Sequence, residues 1–260
     1  MKSMFLSIGI LLLLPGFGCR EKTTPGPSLD SVPEYGNGPI PPPAKKEGSK
    51  NTEIKIHPIE HATAVLEWKD ITIYIDPVGG AEAFEGQKKA DLILITDIHG
   101  DHLSVETLRA LDTKRAKIVA PQAVADKLPR EFTPQIDVLN NGDSKTRYGI
   151  SVTAVPMYNL KEEAKKFHSK GRGNGYILNM GGERLYFSGD TEDIPEMRNL
   201  KNIDKAFICM NLPYTMTVES AADAVLEFSP GQVYPYHYRG NPTVSDVGKF
   251  KKLVQKGNPN

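Results

Sequence analysis

The sequence predicts a mixed α/β fold in which two β-sheets pack face to face and helices cover both outer faces. Three observations carry that expectation. Short apolar strands joined by tight turns open the globular part, a strand, loop, helix and strand follow in that order, and a glycine-joined hairpin then leads to a further helix and strand. No internal repeat of solenoid length competes with this reading.

The chain starts with an address. Lys2 precedes an apolar run from Met4 to Leu14, too short to span a bilayer comfortably but suited to the core of a signal peptide, so residues 1–18 are expected to be removed. The pair Gly18-Cys19 resembles the end of a bacterial lipoprotein signal. That resemblance implies lipidation of Cys19 and a place in the cell envelope or periplasm, with the membrane reached only through the lipid anchor. Cleavage nearby without lipidation gives the alternative, a soluble secreted protein. Residues 20–51 are rich in Pro, Gly, Ser and Lys and include Pro41-Pro42-Pro43, the composition of a disordered tether. Residues 52–258 form the expected hydrolase domain, whose elements follow in order.

Ile54 to Pro58, Ala64 to Trp68 and Ile71 to Ile75 read as strands, with Lys69-Asp70 as the turn between the last two. Asp91 to Ile95 is a continuous apolar strand suited to burial on both faces. Thr107 to Leu111 carries a helical pattern and leads to the strand Lys117 to Ala120. Pro121 to Leu128 suits a helix with proline in its first turn. Strands are expected at Ile150 to Val155, Gly175 to Met180 and Arg184 to Phe187, the last two joined through Gly181-Gly182. Thr217 can cap a helix that places Val218, Ala221, Ala222, Val225 and Leu226 on one face. Gln232 to Tyr234 gives one more strand, and a final helix starts near Ser245.

Composition narrows the function. Hydrophobic residues make up 39% of 260 residues, enough for a sizeable core without disulfides. Lys+Arg (32) and Asp+Glu (32) cancel, so no global basic field exists to gather nucleic acid, and none is expected as a partner. Cys19 and Cys209 lie in unrelated contexts and define no disulfide framework. Cys209, within an apolar strand and without an adjacent base, reads as a small buried hydrophobe.

The chemistry concentrates in Asp97-Ile98-His99-Gly100-Asp101-His102, which follows directly on a buried strand and presents four metal-capable side chains on one short loop. Imidazole and carboxylate are the usual donors to divalent transition metals, yet one loop rarely fills two coordination spheres. Three later residues at strand ends or in loops are candidates to complete them: His168 in a glycine-rich loop, Asp190 in Ser188-Gly189-Asp190-Thr191, and His237 in Tyr234-Pro235-Tyr236-His237-Tyr238.

With His61-Ala62-Thr63, Ile75-Asp76-Pro77, Val155-Pro156-Met157-Tyr158-Asn159 and Gly175-Tyr176, these motifs occur in an order that resembles the metallo-beta-lactamase superfamily over about residues 54–239. Within it, the nearest likeness is to the branch of the ascorbate-phosphate lactonases and N-acyl phosphatidylethanolamine phospholipase D. The resemblance implies a four-layer αββα sandwich and two divalent metal ions, zinc by family. Asp97, His99 and His168 would hold the first ion and Asp101, His102 and His237 the second, with Asp190 bridging them. It further implies that Asp101 orients the attacking water and handles a proton, and that His61 and Asp76 are pocket or outer-sphere groups. Tyr158, Asn159, Tyr214 and Arg239 are candidates to line the substrate pocket, although aromatic strand residues more often belong to a core. Tyr234, Tyr236 and Tyr238 alternate about His237 and should project on one side of a strand. Lys161, Lys165, Lys166, Lys170 and Arg172 form either an anion-attracting rim or a solvated charged loop partly offset by Glu162 and Glu163.

The expected activity is hydrolysis of a small molecule, an anionic one if the charged loop is a rim: an ester, a lactone or a phosphodiester. Beta-lactam cleavage is disfavoured by the branch resembled, and nuclease activity by the charge balance and the lack of an inserted domain. One residue departs from the family pattern: Asp97 stands where a histidine is usual. An anionic oxygen donor there favours a harder ion, manganese or iron, in the first site. It also leaves less net charge to acidify a bridging water, because three carboxylates then face two ions. The runner-up expectation is therefore a non-catalytic, envelope-tethered protein that binds metal or a partner.

Overall fold

The structure is a computed structural model that describes residues 53–258. The signal peptide, Cys19, the 20–51 tether and the first residue of the expected domain lie outside the described residues. Two six-stranded sheets make up the centre. The first runs in chain order through β1 (Lys55–Glu60), β2 (Thr63–Trp68), β3 (Ile71–Ile75), β4 (Leu92–Leu94), β5 (Lys117–Ala120) and β6 (Ile136–Val138). The second comprises β7 (Ser144–Arg147), β8 (Ile150–Met157), β9 (Gly173–Met180), β10 (Glu183–Phe187), β11 (Lys205–Ile208) and β12 (Gln232–Pro235).

Each sheet begins with antiparallel strands and ends with parallel ones. The carboxyl ends of β3, β4 and β5 therefore point one way, as do those of β10, β11 and β12. The hairpin turns follow from local chemistry. Lys69 adopts φ 55° between β2 and β3, and Gly181 and Gly182 adopt φ 62° and 82° between β9 and β10. Left-handed turn residues match the twist of the strands they join.

The alternation of side chains along a strand divides the core into two clusters. Leu92 and Leu94 on β4 face the second sheet and join Leu66, Ile73, Val152, Leu178 and Phe187 between the layers. Ile93 and Ile95 face the other way, against Leu108 of α1 (Val105–Ala110) and Val124 of α2 (Gln122–Ala125). On the outer face of the second sheet Tyr186 meets Phe228 edge to face. Phe228 belongs to α4 (Val218–Phe228), which follows the one-turn α3 (Pro195–Arg198) and precedes α5 (Val247–Gly257). The predicted sandwich with helices on both outer faces is present, and no described helix is long and apolar enough to cross a membrane.

Differences from the expected elements have local causes. The Pro121–Leu128 helix is shorter than expected: Pro121 is its cap rather than part of its first turn, and the helix stops at Ala125, ahead of Pro129, which disfavours helical geometry at Leu128. Strand β7 shows no apolar alternation because it is an exposed edge of Ser, Lys, Thr and Arg, and β6 and α3 are too short to leave a pattern. Thr217 caps α4 as expected, its side chain accepting from the Ser220 amide.

Candidate metal centre

The side chains singled out by the sequence converge at the carboxyl ends of strands. Asp76 follows β3, Asp97 to His102 follow β4, Asp190 follows β10, His237 follows β12, and His168 lies in the loop between β8 and β9. Three groups form. Asp97, His99 and His168 make one, His102, Asp190 and His237 a second, and His61, Asp101 and His237 a third; within each, the donor atoms lie within 4.8 Å of one another.

Asp190 sits between the first two groups. Its Oδ2 is 3.2 Å from His168 Nε2 and 3.5 Å from His102 Nε2, while Oδ1 is 3.3 Å from His237 Nε2. Asp101 Oδ2 lies 3.2 Å from His237 Nε2 and 3.5 Å from His61 Nε2. The imidazoles are oriented from behind. His102 Nδ1 is 2.8 Å from Asp76 Oδ2, and His168 Nδ1 is 3.1 Å from the Tyr214 carbonyl. Each contact places the ring proton on Nδ1 and leaves the Nε2 lone pair facing the cluster.

This donor set suits a metal cation. His168 Nε2 and Asp190 Oδ1 are buried and without hydrogen-bond partners. His102 Nε2 and His237 Nε2 face each other at 3.0 Å. Buried polar atoms ordinarily find partners, and converging lone pairs are costly unless a cation lies among them. The electrostatics agree. Burial pushes the His102 imidazole down, but the charges of Asp190 and Asp76 and their hydrogen bonds outweigh it and raise the group well above its ordinary value. Burial likewise pushes the Asp190 carboxyl up, and His237, His102 and His168 together hold it well below the usual carboxylate range. The pocket is built to hold positive charge.

The support behind the cluster was only partly visible in sequence. Asp76 is fully buried and accepts from the Thr96 amide at 2.7 Å and the Thr96 hydroxyl at 2.7 Å, besides its contact with His102. Thr96 carries no spacing signal. Tyr236 accepts the Gly189 amide at 2.8 Å and so fixes the loop that presents Asp190. Gly189 has φ 60°, and a Cβ there would lie 2.5 Å from Met157 Sδ, which explains the glycine before Asp190. His61, Asp76 and His237 adopt φ 53°, 44° and 44°. Left-handed backbone at three non-glycine residues is strain of the kind that collects at functional sites.

Arg172, one of the cations of the charged loop, points inward. Its Nε donates to Asp97 Oδ1 at 3.1 Å and its Nη2 to Asp97 Oδ2 at 2.7 Å. His99 Nδ1 approaches the same Oδ2 at 2.8 Å. Burial pushes the Asp97 carboxyl up, yet these hydrogen bonds and the guanidinium charge lower it overall. The rest of the loop is largely neutralised: Lys161 pairs with Glu192, Lys165 with Glu162, and Lys170 with Glu196, while Lys166 lies over the Phe167 ring. Of the two readings the sequence leaves open for this loop, the structure shows the charged surface whose lysines are largely offset by carboxylates.

The four residues expected in the substrate pocket separate. Asn159 is fully buried and donates to the carbonyls of Ala164 and Tyr214, so it braces the His168 support instead of lining a cavity. The Tyr158 hydroxyl donates to Glu196, and Tyr214 contributes its carbonyl to His168. Arg239 does line a cleft, together with His61, Glu60, Tyr236 and Tyr238, and lies 3.5 Å from Glu60. The tyrosine alternation breaks at His237, whose left-handed backbone follows the end of β12, leaving Tyr236 buried and Tyr238 exposed. Cys209 is buried with its thiol pushed up to about 12 by burial, in keeping with an inert role.

Two face-to-face sheets carrying a histidine and aspartate cluster at their strand ends define the class of metallo-hydrolases. A sequence profile of the beta-lactamase superfamily domain matches residues 55–237. A UPF0173 metal-dependent hydrolase from Pyrococcus abyssi is 32% identical over 212 residues, covering 77% of this chain and 92% of the relative. Its counterpart from Thermococcus onnurineus is 33% identical over 70% of this chain and 84% of its own length. Among solved structures, a protein from Parabacteroides distasonis designated a metal-dependent hydrolase superposes with a TM-score of 0.70 at 40% identity, covering 78% of this chain and 88% of its own. Igni18, a metallo hydrolase from Ignicoccus hospitalis, shares the fold with a TM-score of 0.65 at 24% identity, over 78% and 91%. The chain belongs to the beta-lactamase superfamily, among its UPF0173 metal-dependent hydrolases.

Proposed function

We propose that the protein hydrolyses a small ester, lactone or phosphodiester with two divalent ions. Asp97, His99 and His168 would hold one, Asp101, His102 and His237 the other, and Asp190 would lie between them. The observation that carries this reading is the position of Asp190, within 3.5 Å of the Nε2 atoms of His168, His102 and His237, with its Oδ1 buried and unpartnered. Bound divalent ions would supply Lewis acidity toward a carbonyl or phosphoryl group and would acidify water.

The chain's own contribution is geometric and protonic. Asp101 is the accessible carboxylate of the set, its side chain 42% exposed. Burial pushes its carboxyl up, but His237, His61 and His102 hold it far below the usual range, so it stays ionised at the cluster's open side, where it can accept a hydrogen bond from water. His61 orients it, its ring packed at a tilt of 46° against His237 with centroids 3.8 Å apart. A cleft of about 800 Å³ extends from His61 between β1 and β12, with Ile56, Phe207 and Tyr234 on its walls and Arg239 at its side, room enough for a small substrate with an apolar part.

The deciding experiment offers the purified protein a panel of lactones, phosphodiesters and beta-lactams before and after chelation, with Zn2+ or Mn2+ added back. Metal-restored cleavage of a lactone or phosphodiester is expected. Inactivity on all three classes with metal bound would instead favour a binding protein. The resemblance of the amino-terminal run and its Gly18-Cys19 pair to a lipoprotein signal supports a reading in which this activity works in the cell envelope, held at Cys19. Replacing Cys19→Ala should move the protein from the membrane pellet to the soluble fraction, and an unchanged distribution would remove the anchor from the proposal.

A further inference from the structure

We propose that Arg172 is a built-in countercharge for Asp97, so that the Asp97–Arg172 pair, rather than Asp97 alone, sets metal affinity at the cluster with His99 and His168. The inference rests on the metal-binding reading above. An aspartate where the superfamily places a neutral donor would put three carboxylates, Asp97, Asp101 and Asp190, around the centre. The structure answers that excess with one guanidinium. Arg172 reaches both Asp97 oxygens in a fork, at 3.1 and 2.7 Å, and the Asp97 side chain is fully buried while that of Arg172 is 17% exposed. A bidentate pair of this geometry is among the stronger charged contacts available, and one formed away from solvent is weakly screened. Together the two side chains carry no net charge, as a histidine would.

The local backbone is arranged for this approach. Arg172 immediately precedes β9, and a Cβ at Gly173 would lie 2.8 Å from the Thr96 carbonyl and 2.5 Å from Met157 Cε. The neighbouring Asn174 amide donates to that same carbonyl at 3.0 Å, tying the start of β9 to the residue before Asp97. The glycine-rich run around Arg172 thus lets one strand press close enough for its preceding arginine to reach the metal loop.

A countercharge has a consequence that a simple oxygen-for-nitrogen exchange lacks. Placing histidine at position 97 without touching Arg172 leaves an unpaired guanidinium, largely shielded from solvent, beside the cation site, where like charges repel. Asp97→His alone should therefore weaken metal binding, contrary to what the sequence pattern suggests, and Arg172→Met added to it should recover the loss. Such non-additivity is the mark of two side chains acting as one unit.

The full-length protein, the Asp97→His variant and the Asp97→His/Arg172→Met double variant are stripped with chelator and titrated with Zn2+ alone. Bound metal is counted by elemental analysis, affinity is read by chelator competition, and circular dichroism checks the fold. Two ions are expected in the native protein, the weaker of them losing at least about tenfold in affinity in the single variant and returning to within about threefold of native in the double. Binding by Asp97→His as tight as native, or a double variant no better than the single, overturns the countercharge. Should Asp97→His prove insoluble, Asp97→Asn with and without Arg172→Met makes the same comparison. One ion bound with equal affinity in every variant would sink this inference yet leave metal-dependent hydrolysis standing, whereas a native protein that takes up no ion would sink both.

Discussion

Asp76 shows how a residue that touches no substrate can govern the centre. It is fully buried, and the three groups that meet its carboxylate, the Thr96 amide, the Thr96 hydroxyl and His102 Nδ1, all donate to it. Asparagine at this position is nearly isosteric but offers a donor where the aspartate offers a lone pair. The His102 ring would then lose the partner that fixes its tautomer, and Nε2 would no longer be held unprotonated toward Asp190. Asp76→Asn should lower metal affinity by roughly 10- to 100-fold, the range found when partners behind a metal-ligating histidine are removed. Chelator competition on the folded variant measures it, and native affinity would show that His102 needs no such support. Asp76 stood out in the sequence through the Ile75-Asp76-Pro77 motif and the resemblance it supports, but Thr96 could not be found that way. A threonine at a strand end carries no mark of the carboxylate it will meet 20 residues earlier in the chain. Arg172 was conspicuous as a charge yet misleading as to direction, because nothing in a run of lysines and glycines tells which cation turns inward.

Among the elements, the strands of high apolar content were the legible ones and the loops that end them were not. The β4 run was readable because both of its faces are covered, Leu92 and Leu94 on one and Ile93 and Ile95 on the other. Edge strand β7 was invisible because pairing to β8 along one side asks for no buried side chain. The loop after β10 lies between these cases: its glycine suggested a special backbone, while the reason emerged only from the packing. Gly189→Ala would force a side chain into left-handed geometry, at about 1–2 kcal/mol, and press on buried Met157, adding about 1–3 kcal/mol if that side chain cannot yield. Gly182→Ala, at φ 82° with nothing within 4 Å of its Cβ, should show the backbone cost alone. Urea unfolding of both variants separates the two costs. Equal midpoints would mean that Met157 moves aside freely and that the Asp190 loop is less tightly packed than its distances indicate.

At the scale of the whole molecule, the centre is also a seam. Asp97, His99, His102 and Asp101 come from the end of the first sheet, and Asp190, His237 and His168 from the second, so any cation they share ties the two layers together. The apolar core between the sheets supplies the bulk of their adhesion, but at this edge seven polar or charged side chains meet, several of them buried. Without a cation the lost hydration of these groups and their unpartnered buried atoms work against the sandwich; with one, the same groups become its clasp. Binding to the folded chain alone must raise stability by mass action, about 2.7 kcal/mol for a single site at a free-ion concentration 100 times its dissociation constant. For a domain of about 200 residues such a gain corresponds to a rise in Tm of roughly 5–10 °C. Thermal unfolding after chelation and again with Zn2+ or Mn2+ restored should show that rise, and Asp190→Ala, which removes the carboxylate lying between the two halves, should abolish most of it. A Tm indifferent to metal would mean that the two strand ends meet without sharing an ion, whatever the likeness of the fold.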